Sequence, residues 1–579
     1  MRTTVKAAIF LLSLLGSSLA TQQNSSPDQK ADLADQPQTV IRTTTRLVIV
    51  DVVAHNDKGN PVTDLKSQDF AVLENGKPQQ VKVFNFQSHT TASAKTAQPV
   101  PTIAPGVVTN IPAYPVTSAF NVILLDGLNT TAPRQAYMRE RMLALLDKLP
   151  DGQPIAVYTL GTRLRLIQDF TSDHQLLKKT LHDMHNNISV AMNNPSGGPA
   201  PGFPASFISQ VPENMGQRMQ EFLQQSTTTS TQSRVGTTLN ALHSIARFLA
   251  GLPGRKNLIW VSDAFPMYVN PAVTLKPLSL KDDQNFGQAI SKAANTLMDS
   301  QVVIYPVDAH GVMVPAFDDI GLGKPDDAVG GRPAGGNYAA ASLAMMSTSL
   351  ADSQATHETM NRLAESTGGQ AFYNNNDLDV LIRKSIDDGS TYYTLGYYPT
   401  DKNWDGNFRK IQVKVTRPGV KLHYRLGYYA VQPDSYLQED SRQHQLALEQ
   451  ALNLNSPVST GLPFRAKVLP PSEKTENKII VNFAIDSHML SFEKNAAGLQ
   501  TASVDCVVQA YAKEDTPLKA EATTIHAELT DENYAKISSS YFPCQQTLNL
   551  PPGSYLLRLG VVDNRTGVLG TANARVKVD

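Results

Sequence analysis

The sequence is short of several features that define whole classes of protein. Only two of its 579 residues are cysteines, Cys506 and Cys544, and two cysteines alone cannot build a structural zinc site. The formal net charge is -1, which gives no electrostatic case for nucleic acid or an anionic membrane as the main partner. There is no HExxH, GxSxG or Walker motif and no GxGxxG followed by a helix, which excludes enzymes built on those motifs.

Long hydrophobic runs are also missing. The apolar run AAIFLLSLL, Ala7 to Leu15, has about nine residues, against roughly 20 needed to span a bilayer. It follows Arg2 and Lys6 and precedes GSSLA, which is typical of a cleaved secretory signal. We predict residues 1–20 as a signal peptide and expect an exported protein without a transmembrane segment, in the periplasm, at the cell surface or secreted. The alternative is a short amphipathic or buried helix.

Export would place the two cysteines in an oxidising compartment. Disulfides persist in oxidising compartments, so we expect Cys506 and Cys544 to pair. Closing that loop would stabilise the fold by roughly 3–4 kcal/mol on the chain-entropy account. Two buried free thiols are the alternative.

The pattern of apolar residues divides the chain into regions of different predicted secondary structure. Period-two alternation, with a hairpin signal at ENGKP, gives way to strands alternating with helices and then returns to strands. Strand–helix alternation predicts a parallel sheet with helices on both faces. The predicted regions are a disordered segment at 21–39, a β unit at 40–87, a linker at 88–117, an α/β domain at 118–390 with insertions near 187–235 and 309–350, a β unit at 391–430, a helical connector at 431–459 and a β-sandwich at 460–579.

A short phrase, Leu-Gly-Tyr-Tyr, occurs twice in the second β unit. It stands at 395–398 and at 426–429. We interpret both copies as equivalent strand ends, whose tyrosines serve core and sheet packing.

Acidic residues stand at the ends of three predicted buried strands. FNVILLD ends in Asp126, KNLIWVSD ends in Asp263 and QVVIYPVD ends in Asp308. Ligands of open α/β sheets bind at the carboxyl ends of the strands, near a topological switch point. Asp126 and Asp263 are therefore candidate site residues, whereas Asp308 is more typical of a turn. Helix capping or turn closure by Asp126, Thr130 and Asp263 is the alternative.

The α/β region resembles the von Willebrand factor type A fold, in which a metal ion lies at the carboxyl edge of the sheet. The resemblance places the family's first acidic ligand on Asp126 and the last hydroxyl of its Asp-x-Ser-x-Ser loop on Thr130. It places the second-loop threonine on Thr238, with Thr237 as the alternative, and the later acid on Asp263. The implied cofactor is a divalent cation, with Mg²⁺ expected because hard ions take oxygen ligands.

The loop departs from the family's pattern at one position. The middle hydroxyl falls on Leu128, which cannot bind metal, and Asn129 is a substitute one position further on. The resemblance therefore implies a degenerate site, in which an open cation position accepts a carboxylate of a protein or peptide ligand.

A longer resemblance, from Arg42 to about Ala430, is to the von Willebrand A-related proteins abundant in acidobacteria. It rests on LLDGLNT, LPGRKNLIWVSDAFP, LAESTGGQAFY and YYTLGYYPTDKNWDGNF. It implies a fold of α/β plus all-β class. We expect a Rossmann-like von Willebrand A domain inserted into a small β-sandwich formed by 40–87 and 391–430, with a C-terminal Ig-like β-sandwich.

Three functions are hypotheses at this point. The first is a non-enzymatic, exported binding or adhesion module that engages a protein ligand through the degenerate metal site. The second is a structural or assembly scaffold of the cell envelope, in which that site is vestigial. The third, a hydrolase, is disfavoured because no set of histidine, acid and nucleophile stands at a readable spacing.

Overall fold

The structure is a computed structural model. It describes residues 47–88, 104, 106–112, 119–148, 154–183, 233–263, 265, 293–310, 353–354, 356–430, 441–475, 478–513 and 516–579. The predicted signal peptide and the segment at 21–39 lie outside these residues, as do most of the two predicted insertions. No helix within the described residues is long and apolar enough to cross a membrane.

Strands outnumber helices in the described chain. In chain order the strands are β1 Val48–Asn56, β2 Phe70–Glu74, β3 Lys77–Gln79, β4 Val81–Gln87, β5 Val107–Thr109, β6 Ala119–Asp126, β7 Ile155–Leu160, β8 Leu164–Thr171, β9 Arg255–Ser262, β10 Val302–Asp308, β11 Tyr392–Tyr397, β12 Phe408–Val415, β13 Val420–His423, β14 Gly427–Tyr429, β15 Phe464–Leu469, β16 Ile479–Asp486, β17 Glu493–Lys494, β18 Gln500–Lys513, β19 Thr516–Leu529, β20 Tyr541–Leu548, β21 Gly553–Asp563 and β22 Leu569–Val578. The helices are α1 Ala132–Leu146, α2 His174–Asp183, α3 233–249, α4 293–299, α5 356–367, α6 Leu378–Asp388, α7 Ser441–Leu452 and α8 Asp531–Ser538.

The α/β region is built on one five-stranded sheet in the order β10-β9-β6-β7-β8. The first four strands of that order are parallel, and β8 is antiparallel to β7. The sheet is therefore mixed, and the expected parallel sheet is only partial. The stretch QAFY, residues 370–373, contributes a single parallel bridge, from Phe372 to Val307.

Side chains of β6 alternate between two apolar clusters. Phe120, Val122 and Leu124 lie in a cluster with α3, α4 and α5, whereas Ile123 and Leu125 lie in a cluster with α1, α2 and α6. Successive side chains of a strand point to opposite faces, so helices cover both faces of this sheet. Each fully buried side chain of this kind stabilises the fold by roughly 1.5–3 kcal/mol.

The two predicted β units share their sheets. One four-stranded sheet has the order β13-β1-β11-β4, and a second has the order β14-β12-β2-β3. Each sheet takes two strands from before the α/β region and two from after it. Side chains of both sheets lie in one apolar cluster, which includes Val50, Val72, Leu395 and Ile411.

The predicted linker at 88–117 contains a strand that the sequence did not indicate. Strand β5 pairs with β15 and forms the edge of the sheet β20-β16-β15-β5 in the C-terminal region. Nearby, Asn110 is buried and donates to the carbonyl oxygens of Ser459 and Leu462 at 2.8 and 2.9 Å. This part of the segment is therefore integrated into the C-terminal region and is not a free linker.

The C-terminal region consists mainly of strands. Its second sheet has the order β17-β18-β21-β22, and β19 pairs with β18. A disulfide joins Cys506 on β18 to Cys544 on β20 and so connects the two sheets within their shared apolar cluster.

Candidate functional site

The candidate site lies where the order of the parallel strands changes direction. From β6 the chain passes through α1 to β7 on one side, and it later adds β9 on the other side of β6. Crevices form outside the carboxyl ends of strands at such a switch point. Asp126 is the last residue of β6, and Asp263 directly follows β9. The topology therefore brings both acids to one edge.

Asp126 is fully buried, and protein groups surround its carboxylate. Oδ1 accepts a hydrogen bond from the backbone N–H of Asn129 at 3.0 Å. Oδ2 accepts from Asn129 Nδ2 at 2.8 Å, from Trp260 Nε1 at 3.0 Å and from Ser262 Oγ at 3.0 Å. Burial raises the pKa of Asp126, and these hydrogen bonds oppose that shift.

Asn129 connects Asp126 to the second predicted loop. Its Nδ2 also donates to Thr238 Oγ1 at 3.2 Å, so one amide group bridges two candidate ligands 112 positions apart (238 − 126). Thr238 is fully buried on α3. The alternative, Thr237, donates instead to the carbonyl oxygen of Ser233 within the same helix, at 2.9 Å. The structure therefore places Thr238 with Asp126 and Asn129, and it engages Thr237 elsewhere.

Thr130 and Asp263 form the second half of the site. Thr130 Oγ1 accepts a hydrogen bond from the backbone N–H of Asp263 at 3.1 Å. Asp263 Oδ2 accepts from the backbone N–H and the hydroxyl of Thr131, at 3.2 and 3.1 Å. Thr131 is the N-cap residue of α1 by position, and Pro133 in the first turn suits a helix start. Its hydroxyl holds Asp263 and makes no capping bond to α1.

The other oxygen of Asp263 faces two basic side chains. Arg134 Nε lies 3.6 Å and His310 Nδ1 3.7 Å from Oδ1. Burial raises the pKa of Asp263, although the charge of His310, the hydrogen bonds of Thr131 and the charge of Arg134 oppose the shift. Asp308 Oδ1 accepts from the backbone N–H of His310 at 2.8 Å, which closes a turn as the sequence indicated.

The atoms of the site suit an oxygen-liganded cation. Asn129 Oδ1 and Asp263 Oδ1 are buried and have no hydrogen-bond partner among the described residues. A buried oxygen without a hydrogen-bond partner is costly, and a hard cation would satisfy Asn129 Oδ1. Asp263 Oδ1 already faces Arg134 and His310 at 3.6 and 3.7 Å. Within the described ranges no three His, Cys, Asp or Glu side chains could hold a metal together, so hydroxyl and amide oxygens would have to complete the set.

Two features work against a cation. Leu128 takes the place of a ligand and is only 2% exposed, within the apolar cluster that includes Phe120 and Trp260. Asn129 Nδ2 donates to both Asp126 and Thr238, so an ion bound by those two side chains would have to displace these hydrogen bonds.

Sequence reasoning missed Trp260 and Ser262, which both donate to Asp126. They stand two residues apart on β9, and alternate side chains of a strand share one face. Leu124 pairs with Trp260 across β6 and β9, so Ser262 comes level with Asp126. The signal was therefore in the sequence, as a polar residue two positions from a tryptophan at the end of a buried strand.

No family model and no curated protein matches this sequence. Among solved structures, the chain is similar to a von Willebrand factor type A protein from Catenulispora acidiphila, at 10% identity, over 65% of this chain and 80% of that chain, with a TM-score of 0.24. It is also similar to an aerotolerance-related membrane protein from Bacteroides fragilis, at 11% identity, over 46% of this chain and 98% of that chain, with a TM-score of 0.23. BatB from Bacteroides thetaiotaomicron matches at 12% identity, over 47% of this chain and 98% of that chain, with a TM-score of 0.24. TM-scores this low do not bear on function, which is inferred from the side chains of this chain alone.

Proposed function

We propose that this protein is an exported, non-enzymatic binding module of the von Willebrand A type. It engages a protein or peptide ligand at the carboxyl ends of β6 and β9, through a divalent cation, with Mg²⁺ expected. The supporting observation is the hydrogen-bonded set at the switch point, which contains two buried oxygens without a hydrogen-bond partner among the described residues. The residues that would hold the cation are Asp126, Thr130, Thr238 and Asp263, with Asn129 in place of the missing hydroxyl.

The chain's own residues fix these oxygens in place. Trp260 and Ser262 hold the carboxylate of Asp126, and the backbone N–H of Asp263 holds the hydroxyl of Thr130. A bound cation would supply an electrophilic position for a carboxylate of the ligand. Side chains locked by neighbouring hydrogen bonds lose little freedom on binding, which favours affinity.

Two histidines of this edge contact one carboxylate, that of Asp308. His310 Nδ1 lies 3.0 Å from Asp308 Oδ1, and His357 Nε2 lies 3.2 Å from Asp308 Oδ2. A carboxylate bonded to one nitrogen of an imidazole fixes the orientation of the ring, and we infer that Asp308 holds both rings in place at this edge.

The second candidate is an envelope scaffold with a vestigial metal site. It is favoured by Leu128, which is part of the core, and by the four hydrogen bonds that the protein itself donates to Asp126. A site satisfied in this way keeps its shape without an ion.

Calorimetry on the full chain with Mg²⁺, Mn²⁺ and Ca²⁺ separates the two candidates. We expect saturable binding to the wild type and its loss in Asp126→Asn and in Thr238→Val. Thr237→Val is the matched control, because the hydroxyl of Thr237 bonds Ser233 within the helix, and it should keep the wild-type affinity. If the wild type shows no heat of binding with any of the three ions, the binding proposal is wrong and the envelope scaffold is the supported function.

A further inference from the structure

One face of the sheet β14-β12-β2-β3 is exposed to solvent along β12. Side chains of this strand alternate between buried and exposed. Because successive side chains of a strand point to opposite faces, the exposed ones form a single row on the outer face of the sheet. At roughly 3.3 Å per residue, the row is about 20 Å long. It consists of Phe408, Lys410, Gln412 and Lys414.

The aromatic ring at the start of this row lies across the neighbouring strand. Phe408 is 44% exposed, and a Cβ atom at Gly427 of β14 would lie only 2.5 Å from its Cζ and 2.8 Å from its Cε1. A glycine at position 427 is therefore what leaves room for the ring. Tyr429 meets Phe408 edge-on, with ring centroids 5.1 Å apart and planes at 65°. Phe408 thus presents a small apolar surface on the outer face of the sheet.

The row carries two positive charges and no negative charge. Glu74 is the one acid in the four strands, and it is buried on the other face, 3.3 Å from Arg409. The acids of the loop before β12 are engaged locally. Asp405 accepts hydrogen bonds from the backbone and side-chain N–H groups of Asn407 at 3.0 and 2.8 Å, and Asp401 lies 3.7 Å from Arg409. The outer face is therefore complementary in charge to an acidic ligand.

We propose that this outer face binds an acidic polysaccharide. Phe408 packs on a sugar ring, since the negative face of an aromatic ring attracts the partly positive C–H groups of a sugar. Lys410 and Lys414, about 13 Å apart along the strand, attract carboxylate or sulfate groups of an extended chain. Gln412 between them offers an amide with both donors and an acceptor for sugar hydroxyls. The inference goes beyond the proposed function and does not rest on the cation site.

Single-stranded nucleic acid is the other polymer that binds aromatic, basic sheet faces. Sheets of that kind stack two or three bases on successive rings. Here Tyr429 turns its edge toward Phe408, so the face offers one stacking ring only. An acidic peptide would gain its main-chain hydrogen bonds at the edge of a sheet, whereas this row lies on a face. The single ring and the flat charged row therefore favour a polysaccharide.

Binding of defined polymers to the full chain tests the proposal. Polygalacturonate and dextran sulfate are the acidic probes, and methyl-esterified polygalacturonate and dextran are their uncharged counterparts. Poly-glutamate supplies charge without sugar, and oligo-dT supplies bases. Affinities are measured in EDTA, which removes any contribution of the proposed cation site. We expect at least one acidic polysaccharide to bind, more weakly as salt is raised, and its uncharged counterpart not to bind.

Substitutions in the row assign the binding to this face. Lys410→Gln combined with Lys414→Gln should weaken binding about fivefold, and Phe408→Ala by a similar factor. Phe408→Tyr keeps the ring and should stay within about twofold of the wild type. Lys467→Gln combined with Lys478→Gln is the matched control, because it removes two exposed lysines from the C-terminal region. The lysine pair tests the face even if Phe408→Ala folds poorly.

Each outcome bears on one proposal alone. Binding that the row substitutions weaken and the control leaves intact supports the polysaccharide face, whatever calorimetry shows for Mg²⁺. Equal binding of poly-glutamate would show that charge alone is recognised, and tighter binding of oligo-dT would make this a nucleic-acid face. Either result overturns the proposal, as does the absence of binding to both acidic polysaccharides. None of these results alters the case for a cation at Asp126.

Discussion

At the residue scale, His310 is the titratable group of the site edge that faces two carboxylates. Its Nδ1 lies 3.0 Å from Asp308 Oδ1 and 3.7 Å from Asp263 Oδ1. Burial alone would lower the pKa of His310, but the hydrogen bond with Asp308 and the charges of Asp263 and Asp308 outweigh burial, so the pKa is raised above its ordinary value of 6.5. The favourable interaction of protonated His310 with these carboxylates adds to the free energy of unfolding. This contribution is fully present below pH 6.5 and is lost as the pH rises through the raised pKa of the folded state.

We predict that Asp308→Asn destabilises the protein more at pH 5.5 than at pH 8.5. The substitution removes the negative charge of Asp308, and that charge stabilises His310 only when the ring is protonated. Urea midpoints at the two pH values measure the difference, and an NMR titration of the ring of His310 should show its pKa falling toward 6.5. Asp486→Asn is the control, since His488 also lies 3.0 Å from its carboxylate but is 69% exposed, where ion pairs contribute little. An equal loss at both pH values would contradict the role of the charge.

The sequence could predict only part of the site at this scale. Asp126 and Asp263 could be placed together because parallel strands end at the same edge. The amide of Asn129 could not be placed between Asp126 and Thr238, because that contact joins positions 109 residues apart and depends on how α3 packs.

At the element scale, the repeated Leu-Gly-Tyr-Tyr phrase has a shared partner. The third residue of each copy, Tyr397 or Tyr428, donates its hydroxyl to Glu74 Oε2, at 2.8 and 2.9 Å. Arg409 Nη1 lies 3.3 Å from the other oxygen, and Glu74 and Arg409 are both buried. Both rings also lie in the apolar cluster, as predicted for packing tyrosines. The sequence could not assign Glu74 as their partner, because more than 300 residues separate it from either tyrosine.

We predict that Glu74→Ala destabilises the protein by about 3–5 kcal/mol, because it removes the buried acid beside Arg409 and leaves that charge with the half-exposed carboxylate of Asp401 at 3.7 Å. Tyr397→Phe and Tyr428→Phe should each cost about 1.5–3 kcal/mol, the range for hydrogen bonds to a charged group. Equilibrium denaturation measures these losses, and Tyr398→Phe, the next residue of the first copy, is the control. Tyrosine substitutions no more costly than that control would show that Glu74 is held by Arg409 alone.

At the scale of the whole molecule, a buried polar network lies at the opposite end of the central sheet from the site. Arg255, the first residue of β9, donates to the hydroxyl of Tyr305 at 2.8 Å, and that hydroxyl donates to Asp388 at 2.9 Å. His55 of β1 lies 3.5 Å from the same carboxylate, and the hydroxyl of Tyr392 of β11 accepts from the backbone N–H of Arg255 at 3.2 Å. The central sheet is therefore tied to strands from both flanking β segments.

This connectivity predicts that the first β segment cannot leave the molecule as a folded piece. Strand β1 lies between β13 and β11, β4 pairs with β11 and β2 pairs with β12, so three of its four strands have partners that come after the α/β region. Within the segment only β2 and β3 pair with each other, and a single hairpin is marginally stable at best. The short length of the segment was enough to predict from the sequence that it needs other strands. The pairing of β5 with β15 could not be predicted, because a strand of three residues is too short to show a periodic pattern of apolar side chains.

A protease site engineered after residue 88 tests the prediction. After cleavage, the fragment that ends there should co-elute with the rest of the chain on size exclusion and separate only in denaturant, because main-chain hydrogen bonds to β11 and β13 hold it. When isolated and refolded alone it should give the circular dichroism of an unfolded chain. Uncleaved protein carrying the same insertion is the control for loss of structure by the insertion itself. A fragment that leaves under native conditions and remains folded would show that the first β segment is a domain of its own.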